Sequence, residues 1–66
     1  MFPNLNAEMA RNKITIKTLA NITGINYYTL KNKCSGNTEF KRKEMFEIKK
    51  KAFPTMTIDY LFKIEE

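Results

Sequence analysis

The chain contains one cysteine and no histidine, which removes disulfides and Cys/His metal clusters as sources of stability. Two glycines and two prolines in 66 residues are too few for a linker or a fibrous repeat. Long apolar runs are missing too: the longest is Tyr60, Leu61 and Phe62, so no segment reads as a membrane span. The stretch MFPNLNAEMA lacks a basic n-region and an apolar h-region, and the expected location is a reducing bacterial cytoplasm. Period-2 alternation is never sustained, and the β-branched residues are scattered among Lys, Asn and Glu, which argues against strands.

What is present is enough to fold. Hydrophobic residues make up 42% of the chain and include eight aromatics, five Phe and three Tyr, too many for a disordered tail. A chain this short holds one domain, residues 1–66, with one modest core, and efficient helix packing with dimerisation is the remaining route to stability. Charge is uneven. Residues 11–51 carry eleven lysines and arginines against Glu39, Glu44 and Glu47, whereas the last fifteen carry Lys63 against Asp59, Glu65 and Glu66. A net charge of +5 concentrated in the middle of the chain suits a polyanion such as nucleic acid. Lys, Asn and Ile account for 24 residues, the bias of AT-rich codons in a low-GC bacterium or its phage.

Helical spacing organises the chain. A first helix is expected from about Asn4 to Asn12, entered through Phe2 and Pro3, with Leu5 and Met9 on its inner face. Two segments eleven residues apart, ITIKTL and INYYTL, echo one another. In each, an isoleucine precedes a capping residue and a leucine follows four positions later: Ile14 and Leu19 around Thr15, Ile25 and Leu30 around Asn26. This is the spacing of a hydrophobic staple around an N-cap, without the acidic residue that would close a capping box. The first of these helices spans about Ile16 to Thr23 and stops at Gly24, so the second begins at once and the two cross steeply. The second stops at Ser35 and Gly36. A further helix, Lys41 to Phe53, places Met45, Ile48 and Ala52 on one stripe with Phe46 and Phe53 on its flank, and Pro54 ends it. Lys49 falls within that apolar arc; either its stem snorkels or the register shifts slightly. Thr57 caps a last short helix, IDYLFKI, whose Ile58, Leu61 and Phe62 close the core.

The stretch TIKTLANITGINYYTLKNKCSG resembles the helix-turn-helix core of the Cro and repressor family of phage and bacterial regulators, whose usual run is T-Q-x-x-L-A-x-x-x-G-[IV]-[ST]-x-x-[ST]-[LI]. Thr15, Leu19, Ala20, Gly24, Ile25, Thr29 and Leu30 stand in matching places. The resemblance implies an all-α fold, a compact four- to five-helix bundle of the lambda-repressor-like DNA-binding type, in which the helix at 26–35 enters the major groove. Two positions depart from the pattern in ways that bear on packing. Thr23 and Lys33 stand where apolar residues are common, and Ile22 and Cys34 beside them are expected to fill that volume. Ile16 replaces the family's frequent glutamine and removes that side-chain contact.

Plotted at about 100° per residue from Leu30, Cys34 lies at about 40°, Tyr27 at 60°, Tyr28 at 160° and Asn32 at 200°. Tyr28 and Asn32 therefore face away from the core, with Thr29 beside them and Lys31 and Lys33 at the sides. An asparagine in the groove can bond adenine twice, and a tyrosine can meet a thymine methyl or a phosphate. Tyr27, Tyr28, Thr29 and Asn32 are the expected base-reading residues. Thr15, Lys17, Lys31, Lys33, Asn37, Lys41 and Arg42 are the expected phosphate contacts, with the backbone amides of Gly36 and Asn37 contributing.

Catalysis is not expected. Cys34 has no histidine to activate it and falls on the buried face, and Glu44 and Glu47 pair with lysines three or four residues away. No cofactor, metal or small-molecule ligand is expected. The expected function is a transcriptional regulator, a repressor by its resemblance, bound to double-stranded operator DNA of pseudo-palindromic sequence in the nucleoid. One helix reads few base pairs, so a homodimer is expected, with exposed members of Phe53 to Phe62 as its surface. The rival is a protein-binding module on the same fold: an antitoxin, an antirepressor or an inhibitor of a host factor. Nonspecific nucleic-acid binding would need only the charge.

Overall fold

Four of the five helices begin where a local signal marks them, and the five are arranged around a single core. The computed structural model describes residues 1–64; Glu65 and Glu66, part of the acidic C-terminal count, lie outside it. Among the described residues there are five helices and no strand: α1 (Pro3–Arg11), α2 (Ile16–Thr23), α3 (Tyr27–Ser35), α4 (Arg42–Ala52) and α5 (Ile58–Leu61). None is long and apolar enough to cross a membrane. The Cα radius of gyration is 10.5 Å, close to the ~10.8 Å of a compact globule of this length.

α1 starts with Pro3 in its first turn, where a missing N–H costs nothing and the fixed φ is already helical. Leu5 and Met9 are buried as their spacing requires. Phe2, just ahead of the helix, is buried too, and stacks edge-on against Phe40 and Phe62 at 5.3 and 5.8 Å between ring centres. The spacing did not reveal Glu8, which is 2% exposed. Its carboxylate accepts from Arg11 and, at 2.8 Å, from the Tyr60 hydroxyl of α5, so the buried charge is paired and hydrogen-bonded. The Asn4 side chain donates to the Tyr60 carbonyl at 2.8 Å, a second tie between the two ends of the chain.

α2 and α3 follow from their caps. Thr15 Oγ1 accepts from the Thr18 amide at 3.1 Å, and Asn26 Oδ1 accepts from the amides of Tyr28 and Thr29 at 3.0 and 3.3 Å. Between them Gly24 takes a φ of 77°, a left-handed conformation that ends α2 without a Cβ penalty. The half-buried Ile14 and Ile25 pack against the core cluster that contains Leu19 and Leu30. α2 packs on both α3 and α4, α1 on α5, and α4 on α5.

The two polar positions in this region differ from expectation. Thr23 is itself buried, with its hydroxyl donating to the Leu19 carbonyl at 2.8 Å, while Ile22 is 37% exposed and does not take its place. A threonine can satisfy its hydroxyl within its own helix and then behaves as a small apolar residue, so no substitute is needed. Cys34 is buried as its position implies, but Lys33 is buried beside it.

α4 runs one residue shorter at each end than Lys41 to Phe53, those two residues being its caps. Lys49 is half-buried, and its ammonium donates to the Pro54 carbonyl at 3.1 Å. Phe53 is 3% exposed, whereas Phe46 is 53% exposed. Thr57 Oγ1 caps α5 by accepting from the Tyr60 amide at 3.1 Å; the helix closes at Leu61, shorter than IDYLFKI.

At Gly24 an added methyl would have nothing within 4 Å, so Gly24→Ala tests backbone conformation alone. It should lower stability by about 1–2 kcal/mol, read as a fall in the urea midpoint at unchanged slope. Gly36→Ala should cost about the same, because the Met1 methyl its Cβ would meet is the end of a flexible, half-exposed side chain that can move aside.

Candidate nucleic-acid interface

The Asn26 cap and the Leu30 anchor fix the rotation of α3 and so decide which residues it turns outward. Tyr28 is 71% exposed, and Thr29, Lys31 and Asn32 are exposed with it. Tyr27 is 38% exposed and meets Tyr28 edge-to-face, with ring centres 5.2 Å apart at 81°. The Tyr27 ring lies at the α2–α3 junction, where it lines an open concavity of about 580 Å³ with Lys17, Ala20, Asn21, Gly24 and Ile25. The structure therefore brings Lys17 and Tyr27, ten residues apart, to one depression beside the Tyr28 face. Asn21 joins them. The sequence signal for Asn21 is its place one helical turn after Lys17, which puts both on the same side of α2.

Two of the expected phosphate contacts, Lys33 and the backbone amides at Gly36 and Asn37, are engaged within the fold. Lys33 is 7% exposed and its ammonium is paired with Glu44 of α4, so it is not offered to a ligand. At about 300° on the α3 plot it borders the buried arc, and burial there requires a counter-charge, which Glu44 of α4 supplies. Glu44 is thus a partner across helices and not only a surface pair of its own helix. Its carboxylate also accepts from the Lys41 amide at 2.8 Å. The amides after α3 are engaged as well: Asn37 N–H donates to the Asn32 carbonyl at 2.9 Å and Gly36 N–H to Lys33 at 3.2 Å. These bonds close the helix around Gly36 at φ 89°, leaving only the Asn37 side chain for contact. Arg42 lies about 160° around α4 from Glu44, on the side away from Lys33 of α3. There it lines a groove with Phe46, Ile58 and Asp59.

Lys17, Lys31, Lys41 and Arg42 remain exposed. Thr15 is exposed but its hydroxyl is shared with Thr18 at 3.0 Å while it caps α2. Cys34 sits in the core and burial pushes its thiol up, away from the reactive thiolate.

No family model, curated protein or solved structure matches this chain. The candidate site stands on its own geometry.

Burial pushes the Glu44 carboxyl up, but hydrogen bonds from Lys33 and the Lys41 amide outweigh it and hold the group below its ordinary value. A lowered folded-state value means the pair stabilises above the ordinary carboxylate value of 4.5 and is lost as pH falls through the depressed one. Glu44→Gln should therefore cost about 1–2 kcal/mol at neutral pH and progressively less below it, measured by urea denaturation across pH. Lys33→Met leaves the partly buried Glu44 carboxylate without its counter-charge and should cost at least as much as Glu44→Gln, whereas replacing both partners with apolar side chains should stay within about 1 kcal/mol of the parent.

Proposed function

We propose that this chain is a sequence-specific DNA-binding regulator of the Cro-like type, with α2 and α3 used as a helix-turn-helix and α3 lying in the major groove. The observation that carries this reading is the outward face of α3. A chain with so small a core leaves a tyrosine 71% exposed, with an asparagine one turn further on and a threonine beside it. These are side chains that meet base edges, and they project from a helix whose opposite face is locked by Leu30.

In this reading Asn32 makes paired hydrogen bonds to an adenine, and Tyr28 packs its ring on a thymine methyl or gives its hydroxyl to a phosphate. Thr29 adds a hydroxyl, and Tyr27 turns its hydroxyl from the concavity toward the same groove. Lys17, Lys31 and Lys41 neutralise phosphates and set position without choosing sequence. The net charge of +5 speeds encounter with the duplex. One helix covers few base pairs, so two subunits bind half-sites about 34 Å apart on a pseudo-palindrome.

A second reading, a protein-binding module using the same face, is favoured by the Tyr27–Tyr28 pair, since tyrosines are enriched at protein interfaces. Selection from a random duplex pool, followed by a salt series, separates the two. Enrichment of pseudo-palindromes is the result expected of the regulator; a steep salt slope without enrichment indicates nonspecific binding, and no binding at all favours the protein partner. Asn32→Ala and Tyr28→Ala should change which bases are selected, at a cost of about 1–3 kcal/mol on the preferred site. Lys17→Ala should weaken all duplexes alike and reduce the salt slope by about one. Equal loss on every sequence from Asn32→Ala would sink its assigned role.

A further inference from the structure

The outer face of α4 carries an aromatic ring that the core does not use. Phe46 is 53% exposed and lies about 160° around the helix from the buried Ile48, so it projects directly away from the core. Its same-face neighbours one turn away are all cations: Arg42 and Lys43 before it, Lys49 and Lys50 after it, each within about 60° of its direction. Arg42, Lys43 and Lys50 are exposed, while Lys49 is half-buried and bonded to the Pro54 carbonyl. Glu47, at the edge of this face, is already paired with Lys51 at 2.9 Å. Beside the ring lies an open groove of about 500 Å³, floored by Met45, Ile58 and Phe62 and charged at Arg42 and Asp59.

A ring set between two pairs of cations calls for a flat apolar group with negative charge on both sides of it. A nucleotide within a strand has that form by its covalent structure, a base between two phosphates. The two cation pairs stand about 10 Å apart along the helix axis with Phe46 midway, and the long arms of arginine and lysine close that span onto adjoining phosphates. In a duplex the bases are stacked and paired and offer no face to the ring, so this surface suits an unpaired strand. Asp59 lines the groove beside the ring, where a base edge enters, and every base carries an N–H donor on its pairing edge for a carboxylate to accept. Other anionic partners fit this face less well. A bilayer takes up several apolar residues side by side and a docking helix needs a row of apolar anchors, whereas the positions around Phe46 are taken by charge.

We propose that the outer face of α4 binds single-stranded nucleic acid, with one base stacked on Phe46 and the adjoining phosphates held by Arg42, Lys43 and Lys50. DNA and RNA strands share the base and phosphate chemistry that this face recognises. The site is separate from the α3 surface and does not depend on how α3 is used. It lies on the side of α4 away from Glu44, which meets Lys33 of α3, so a strand bound here leaves Tyr28 and Asn32 uncovered.

The chain has no tryptophan, so Phe46→Trp places a single fluorescent reporter at the site in the full-length protein. Titration at low salt with oligo(dT) and oligo(rU) of about twelve nucleotides should quench its emission saturably, as stacking of a base on the indole does. The tighter of the two strands identifies the sugar the face takes. A duplex of the same length and polyphosphate, which brings charge without bases, should leave the emission unchanged. With the parent ring, binding of the labelled strand followed by anisotropy should weaken about tenfold in Phe46→Ala. Lys50→Ala should reduce the salt slope by about 0.7, the loss of one single-strand phosphate contact. Tyr28→Ala should change neither, and all three variants should keep the parent's helical content because the side chains are exposed. Absence of quenching by either strand overturns the proposal, as does equal quenching by the duplex or by polyphosphate. Strand binding indifferent to Phe46→Ala, or lost in Tyr28→Ala, overturns it by placing the strand elsewhere. A larger emission change with phosphatidylglycerol vesicles than with either strand overturns it in favour of a membrane surface. Failure of α3 to select a duplex sequence bears on the regulator reading alone, since the reporter reads α4.

Discussion

Five side chains, one from each helix, converge with no exposure at all: Leu5, Leu19, Leu30, Ile48 and Leu61. The fold depends on that meeting point. In a chain of 66 residues no helix is long enough to persist alone, so each is held by a single inward anchor and the few apolar neighbours that surround it. The ring of Phe2, Phe40 and Phe62 closes the core at one end, and the Glu8, Arg11 and Tyr60 cluster ties α1 to α5 on its polar side.

One anchor per helix also decides what each helix shows to water. α3 packs on α2 through Leu30 and Cys34 and reaches α4 through the Lys33–Glu44 pair, three attachments that leave it no freedom to rotate. Its cap at Asn26 and its left-handed stop at Gly36 set its length. Tyr28, Thr29 and Asn32 are thereby displayed on a short helix fixed at both ends and along one side. Such pre-organisation is what the proposed groove reading requires, because a side chain misplaced by an ångström loses its paired hydrogen bonds. α4 plays a different part: one side takes the Lys33 charge and the other carries Arg42 and Phe46, so it separates the α3 face from the Phe46 face.

The fold was legible mainly through its punctuation. Thr15, Asn26 and Thr57 each cap the helix assigned to them, Pro3 opens α1 and Gly24 ends α2, because caps and left-handed turns act within four residues and need no knowledge of the rest of the chain. Helix ends moved where no such signal stood, by one residue at Asn12 and Lys41 and by three where α5 stops at Leu61. The inward faces of α1 and α3 followed from the 3.6-residue period, which placed Leu5, Met9, Leu30 and Cys34 in the core and Tyr28 outside it.

What the sequence by itself determined, then, is where helices start, which way each one faces and how charge is distributed along the chain. Which helices become neighbours was decided only by tertiary structure. Lys33 looked like a surface cation until α4 brought Glu44 against it, and Arg42 looked like part of a basic run until α5 set Asp59 near it. Glu8 lay unremarked in α1 because its partner Tyr60 is 52 residues away. A charge is buried or left in solvent according to what packs beside it, and that depends on the meeting of distant segments, whereas capping and periodicity are settled within a turn or two of helix.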